Sequence, residues 1–149
     1  MAEEQYHTDL RLSNRGFDQQ ASDRMFVDLQ SGATGDLATV NGRDNLVQAI
    51  VNRLLTRQGE LATLGHPRYG SRLHQLIGEP NNLRVRGLAD AYIREALRQE
   101  KRIKKVNFIS FEAPSRGYDR STLRATLSVT PIHGDPISIL IPINLEGVQ

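Results

Sequence analysis

The 149-residue chain contains no cysteine and no tryptophan. Without cysteine there is no disulfide framework, no thiolate metal site and no thiol nucleophile. Aromatic residues make up 5% and apolar residues 38% of the chain, which suffices for one modest core. No apolar run approaches the roughly 18–20 residues that cross a bilayer, so no membrane partner is expected. The opening Met1-Ala2-Glu3-Glu4-Gln5 is acidic and polar, where a secretory signal needs a basic start and an apolar block. The expectation is a protein made in the cytoplasm. Glycine-rich phosphate loops and the G-x-S-x-G turn are also missing. His7, His66, His74 and His133 are scattered, without metal-ligand spacing. No catalytic residue, metal or cofactor is therefore expected.

The charges that are present are unevenly placed. Of 19 basic residues only Lys101, Lys104 and Lys105 are lysine. Residues 1–42 hold three Arg against seven acids, whereas residues 84–105 hold eight bases against three. This asymmetry points to two different contact surfaces. Arg98, Lys101, Arg102, Lys104 and Lys105 carry the charge that nucleic-acid binding needs. They are not interleaved with aromatics for stacking, and Arg suits desolvated, bidentate ion pairs. An acidic protein partner is the favoured reading, with no nucleic acid, and a basic nucleic-acid-binding module is an alternative.

Residues 1–42 read as an extended N-terminal arm. Tyr6 to Leu12 alternates briefly, Met25 to Leu29 is a short apolar patch, and Ser31 to Asp36 is a turn cluster. None of these has enough periodic apolar length to fold alone, so residues 1–25 are expected to order on a partner. Residues 43–149 read as one domain. Leu46, Val47, Ile50, Val51, Leu54 and Leu55 place an apolar stripe on a helix over about 43–57. Ser71 can cap a short helix carrying Leu73, Leu76 and Ile77. Asn81 or Asn82 can cap a longer one over about 83–101, with Val85, Leu88, Ala89, Tyr92, Ile93, Ala96 and Leu97 inward. From Val106 the period changes to two, predicting strands at 106–113, 121–130 and 137–145. Pro142 lacks an N–H and belongs on an edge strand or at a bulge. The predicted fold is α+β: two main helices and a short one packed on a three-stranded antiparallel meander.

Several segments in this order resemble a known family: Gly35-Asp36-Leu37-Ala38, Asn45-Leu46-Val47-Gln48-Ala49-Ile50, Arg53 to Leu61, His66-Pro67-Arg68-Tyr69-Gly70-Ser71 and Leu76-Ile77-Gly78-Glu79-Pro80. They are similar to the baseplate wedge proteins of contractile tails, often called baseplate assembly protein W. That family includes the small wedge component of type VI secretion systems. It carries a Glu-Pro-Arg signature where its last long helix meets the sheet, and here that place reads Glu100-Lys101-Arg102. Proline would stop the helix sharply. Lys101 does not, so the helix is expected to run further.

The resemblance implies a non-enzymatic wedge-type structural protein in a phage tail-like particle, a virion or an extracellular injection particle. Glu100, Lys101 and Arg102 would engage a helical bundle of larger baseplate wedge subunits, at an exposed surface. The strand Ile137, Ser138, Ile139, Leu140, Ile141, Pro142, Ile143 would face the sheath protein and template the first sheath ring by strand pairing. Tube-initiator or hub proteins are further partners, and the sixfold sheath implies six copies or a multiple. Some members have been labelled lysozymes. A small tail-associated glycan hydrolase is therefore the enzymatic alternative, recognisable by two carboxyl groups across a cleft.

Overall fold

The computed structural model describes residues 9–10, 12–14, 27–29, 39–40, 42–112 and 121–146. It divides into two units, Met1–Gln48 and Ala49–Gln149. In the first unit, β1 (Asp9–Leu10) pairs antiparallel with β4 (Thr39–Val40), and β2 (Leu12–Asn14) with β3 (Val27–Leu29). The alternation around Leu10 and the apolar patch ending at Leu29 thus each supply a short strand. The Gln48 side-chain amide donates to the Leu10 carbonyl at 2.8 Å. The expected turn cluster at Ser31–Asp36, and most of the expected arm, lie outside the described residues.

Helix α1 (Gly42–Leu55) starts in the first unit and ends in the second. Leu46, Ile50, Val51 and Leu54 are buried, as their spacing requires. It stops two residues short of the predicted Arg57. Thr56 and Gln58 leave the helix to bond Ser71, with Ser71 N–H donating to the Thr56 carbonyl and Gln58 N–H to the Ser71 carbonyl, each at 2.9 Å. The Ser71 hydroxyl also donates to the Leu54 carbonyl at 2.6 Å and accepts from Leu73 N–H at 3.3 Å, starting a 3-10 turn over Leu73–Leu76. The short helix predicted there is this single turn.

Helix α2 (Leu83–Leu97) is capped by Asn82, whose side-chain oxygen accepts from Val85 N–H at 2.9 Å. Val85, Ala89, Ile93, Ala96 and Leu97 are buried, while Leu88 and Tyr92 are half-buried. Strands β5 (Ile103–Phe111), β6 (Thr122–Pro131) and β7 (Ile137–Asn144) form an antiparallel meander in that order, and the helices pack on it. The fold is the predicted α+β arrangement.

Register gives the sheet one apolar face. Leu123, Ala125, Leu127 and Val129 of β6 stand opposite Ile143, Ile141, Ile139 and Ile137 of β7, and all eight are buried. Burying each of the larger of these side chains contributes about 1.5–3 kcal/mol. The alternate residues make a polar face, with Ser128 opposite Ser138, Thr126 opposite Leu140 and Arg124 opposite Pro142. Asn107 links this face by donating to Ser128 Oγ at 3.1 Å and accepting from the Thr130 hydroxyl at 3.0 Å.

The boundaries between α2 and β5 also differ from the sequence reading, with β5 starting before the predicted Val106. Helix α2 ends at Leu97 and β5 begins at Ile103, so the helix does not extend toward Lys101. The backbone tightens, with Glu100 N–H donating to the Leu97 carbonyl and Ile103 N–H to the Glu100 carbonyl, both at 3.1 Å. Proline is not needed to stop the helix, because the Glu100 side chain turns inward and anchors the turn.

Candidate functional site

The turn between α2 and β5 is built around one carboxylate. Arg102 donates to Glu100 Oε1 from its Nε at 2.8 Å and from its backbone N–H at 3.3 Å, and its Nη2 donates to Oε2 at 3.3 Å. This is a two-pronged guanidinium–carboxylate pair of the stronger charge-assisted kind. From the last turn of α1, Arg53 Nη2 reaches Glu100 Oε2 at 3.5 Å. The Arg53 guanidinium also lies over the Tyr69 ring, 4.5 Å from its centre. Glu100 is only 8% exposed, Arg53 12% and Arg102 26%. The Nε of Arg53 is buried and has no hydrogen-bond partner among the described residues.

Burial pushes the Glu100 carboxyl up, but its hydrogen bonds and charge attraction to Arg102, with the charge of Arg53, outweigh that and hold it below the ordinary glutamate value. The sign follows. A carboxyl whose folded value is depressed stabilises the fold above the unfolded value, about 4.3, and loses that contribution as pH falls through the folded value. Urea unfolding from pH 7 down to the acid limit should show wild type and Glu100→Gln differing most at neutral pH, with the gap closing below about pH 4. A gap that stays constant with pH would exclude Glu100 as the source.

The structure pairs Glu100 with Arg102, which the sequence reading did not anticipate, and leaves Lys101 exposed between them. It corrects the expectation that all three are surface residues. Glu100 is buried, because two guanidinium groups draw it inward. Arg53 and Tyr69 were missed. The signal for Arg53 was available: it lies three residues after Ile50 and seven after Leu46, inside the apolar stripe of α1. A charge in such a stripe needs a buried partner.

The second candidate, β7, carries Ile137, Ile139, Ile141 and Ile143 inward and exposes Ser138 and Leu140, with Pro142 half-buried. The isoleucine side chains are therefore not available to a partner. What β7 offers is its backbone edge and the Ser138–Leu140 side. Eight consecutive residues, Ile137–Asn144, pair with β6 without a register shift, and among the described residues β7 pairs with no other strand. The opposite edge, β5, is irregular: register shifts fall between Ile103 and Lys105 and again between Val106 and Phe108, and Lys104 and Lys105 are exposed.

Among the described residues, no group of three His, Cys, Asp or Glu side chains could hold a metal ion, and no helix is long and apolar enough to cross a membrane. A family described as the contractile injection system sheath initiator matches residues 15–134. The chain belongs to this family. Membership gives it a structural role in a contractile injection system and agrees with the contractile-tail resemblance of its segments. No curated protein sequence matches it. Among solved structures it is similar to a Geobacter sulfurreducens protein described as a candidate tail lysozyme. The TM-score is 0.59 and the identity 20%, over 71% of this chain and 93% of that one. At that identity the likeness shows the fold alone.

Proposed function

We propose that this sheath-initiator family member is a baseplate component of the wedge, W-like kind, without enzymatic activity. It joins the larger wedge subunits to the first sheath ring and templates that ring, in six copies or a multiple. Residues 43–149 serve as the wedge-type domain and residues 1–42 as an arm for further baseplate partners. The observation that carries the reading is the contrast between the two sheet edges. Edge strands normally defend themselves with bulges and lysines, and β5 does both. Strand β7 has eight residues in unbroken register and no lysine, with Pro142 as its one weak position. An incoming sheath strand would gain backbone hydrogen bonds and fixed register along it.

The hydrolase alternative has less support. A glycosidase acid needs a carboxyl raised above its ordinary value, with a second carboxylate about 5–10 Å away across a cleft. Glu100 is shifted the other way and is enclosed by arginines.

The absence of cysteine makes the test clean. Leu140 is 44% exposed on β7 and Phe108 49% exposed on β5. Single Leu140→Cys and Phe108→Cys variants, each labelled with a photoreactive maleimide, are assembled into particles and irradiated. The expected outcome is capture of the sheath subunit from position 140 and not from 108. Capture from 108 alone would move the interface to β5. Capture from neither position, in particles that contain sheath, would remove strand pairing as the mechanism.

A further inference from the structure

Between residues 84 and 105 the acids are Asp90, Glu95 and Glu100, and each is already engaged by arginine. Asp90 pairs with Arg94 at 2.7 Å, Glu95 with Arg72 at 2.6 Å, and Glu100 with Arg102 and Arg53. Arg98, Lys101, Lys104 and Lys105 are exposed and make no ion pair with any described residue. Four uncompensated cations thus stand within eight residues. Arg98 caps the C-terminus of α2, Lys101 sits in the turn, Lys104 occupies the β5 register shift, and Lys105 follows it opposite Thr130.

The ordinary reasons for such charges cover only part of the set. The negative end of a helix favours cations in its last turn, which accounts for Arg98. Guarding a strand edge accounts for Lys104 and Lys105. Neither reason requires all four around one turn, where they repel one another in the isolated chain. Glu100 and Arg102 meanwhile are occupied with each other, so they have little charge to offer a partner.

We infer that Arg98, Lys101, Lys104 and Lys105 form a docking face for an acidic protein surface, carried by the larger wedge subunits, and that Glu100 and Arg102 shape the turn presenting it. This rests on the wedge reading above and adds the chemistry of the partner surface. Charge complementarity is the argument: an acidic face meeting this turn would neutralise four charges that nothing described in the chain does. A protein is favoured over nucleic acid because the cations gather at one turn. A nucleic-acid groove would spread them along a track with successive stacking aromatics.

The test is calorimetric binding of the full chain to the purified complex of larger wedge subunits, across roughly 50–300 mM salt. Wild type should bind with an affinity that falls steeply as salt rises. Joint reversal by Arg98→Glu, Lys101→Glu, Lys104→Glu and Lys105→Glu should cost about 100-fold or more and flatten the salt dependence. The milder joint change of all four to Gln should lie between, and both variants should stay folded, with a cooperative melting transition. If wild type binds and the reversed variant binds equally well, the docking face is overturned while the wedge reading stands. If wild type does not bind the wedge complex, the wedge reading itself falls. If a short DNA duplex binds wild type more tightly than the wedge complex does, and the reversed variant loses it, the face belongs to nucleic acid.

Discussion

Glu100→Lys should unfold the domain far more readily than any exposed charge reversal. The change removes the one carboxylate between Arg53 and Arg102 and puts a third cation in its place, at a position 8% exposed. Removing one member of a buried pair typically costs about 3–5 kcal/mol, because the remaining charge is left uncompensated. Here two charges are left. The melting midpoint should drop on the order of 10 °C or more, measured by circular dichroism. Lys101→Glu, at the exposed neighbour, should stay within about 0.5 kcal/mol of wild type. Equal melting of Glu100→Lys and Lys101→Glu would show that the carboxylate does not anchor the turn. This contrast matters for assembly experiments: a Glu100 variant that fails to enter particles reports on folding first and on the interface second.

Gly70→Ala should be nearly as damaging, for a steric reason. Gly70 has φ +103°, a region that L side chains rarely adopt, and a Cβ there would lie 2.6 Å from the Thr56 carbonyl oxygen and 2.9 Å from Gln58 N. These are backbone atoms fixed by the Ser71–Thr56 and Gln58–Ser71 hydrogen bonds, so they cannot swing aside. Strained backbone and the forced shift together should cost about 2–4 kcal/mol. Gly134→Ala provides the control. It shares a positive φ of +101° but meets nothing within 4 Å, and it should cost only the conformational part, about 1–2 kcal/mol. A denaturant titration in which the two variants lose equal stability would rule out the close approach.

Much of the fold could be read from the sequence because its signals are periodic. The isoleucines of Ile137–Ile143 and the alternation Leu123–Val129 fix strand, face and register together, since a one-residue slip would expose every buried side chain. The stripe from Leu46 to Leu54 does the same for α1. What could not be read lies where side chains cross between elements. The meeting of Arg53 with Glu100 spans 47 positions in sequence, and no local period encodes it. The early end of α2 is similar: Leu97 to Lys101 contains no breaker, and the helix stops because Glu100 finds its partners elsewhere. The role proposed for β7 was legible only as an exposed edge. The register shifts that distinguish it from β5 leave no mark in composition, since Ile103 to Phe111 reads as an ordinary strand with two lysines.

The inequality of the two sheet edges also governs how copies of this protein can meet in solution. A sheet open on both sides can add neighbours without end, each copy offering one side to the copy before and the other to the copy after, and the product is a fibre. Within the three-stranded sheet β5 is irregular and lysine-bearing, which leaves β7 as the open edge, so two such sheets that pair through it join like to like, about a two-fold axis. That contact uses up both available edges and closes. Pairing through this sheet therefore favours a closed, symmetric contact, where a doubly open sheet would favour a fibre.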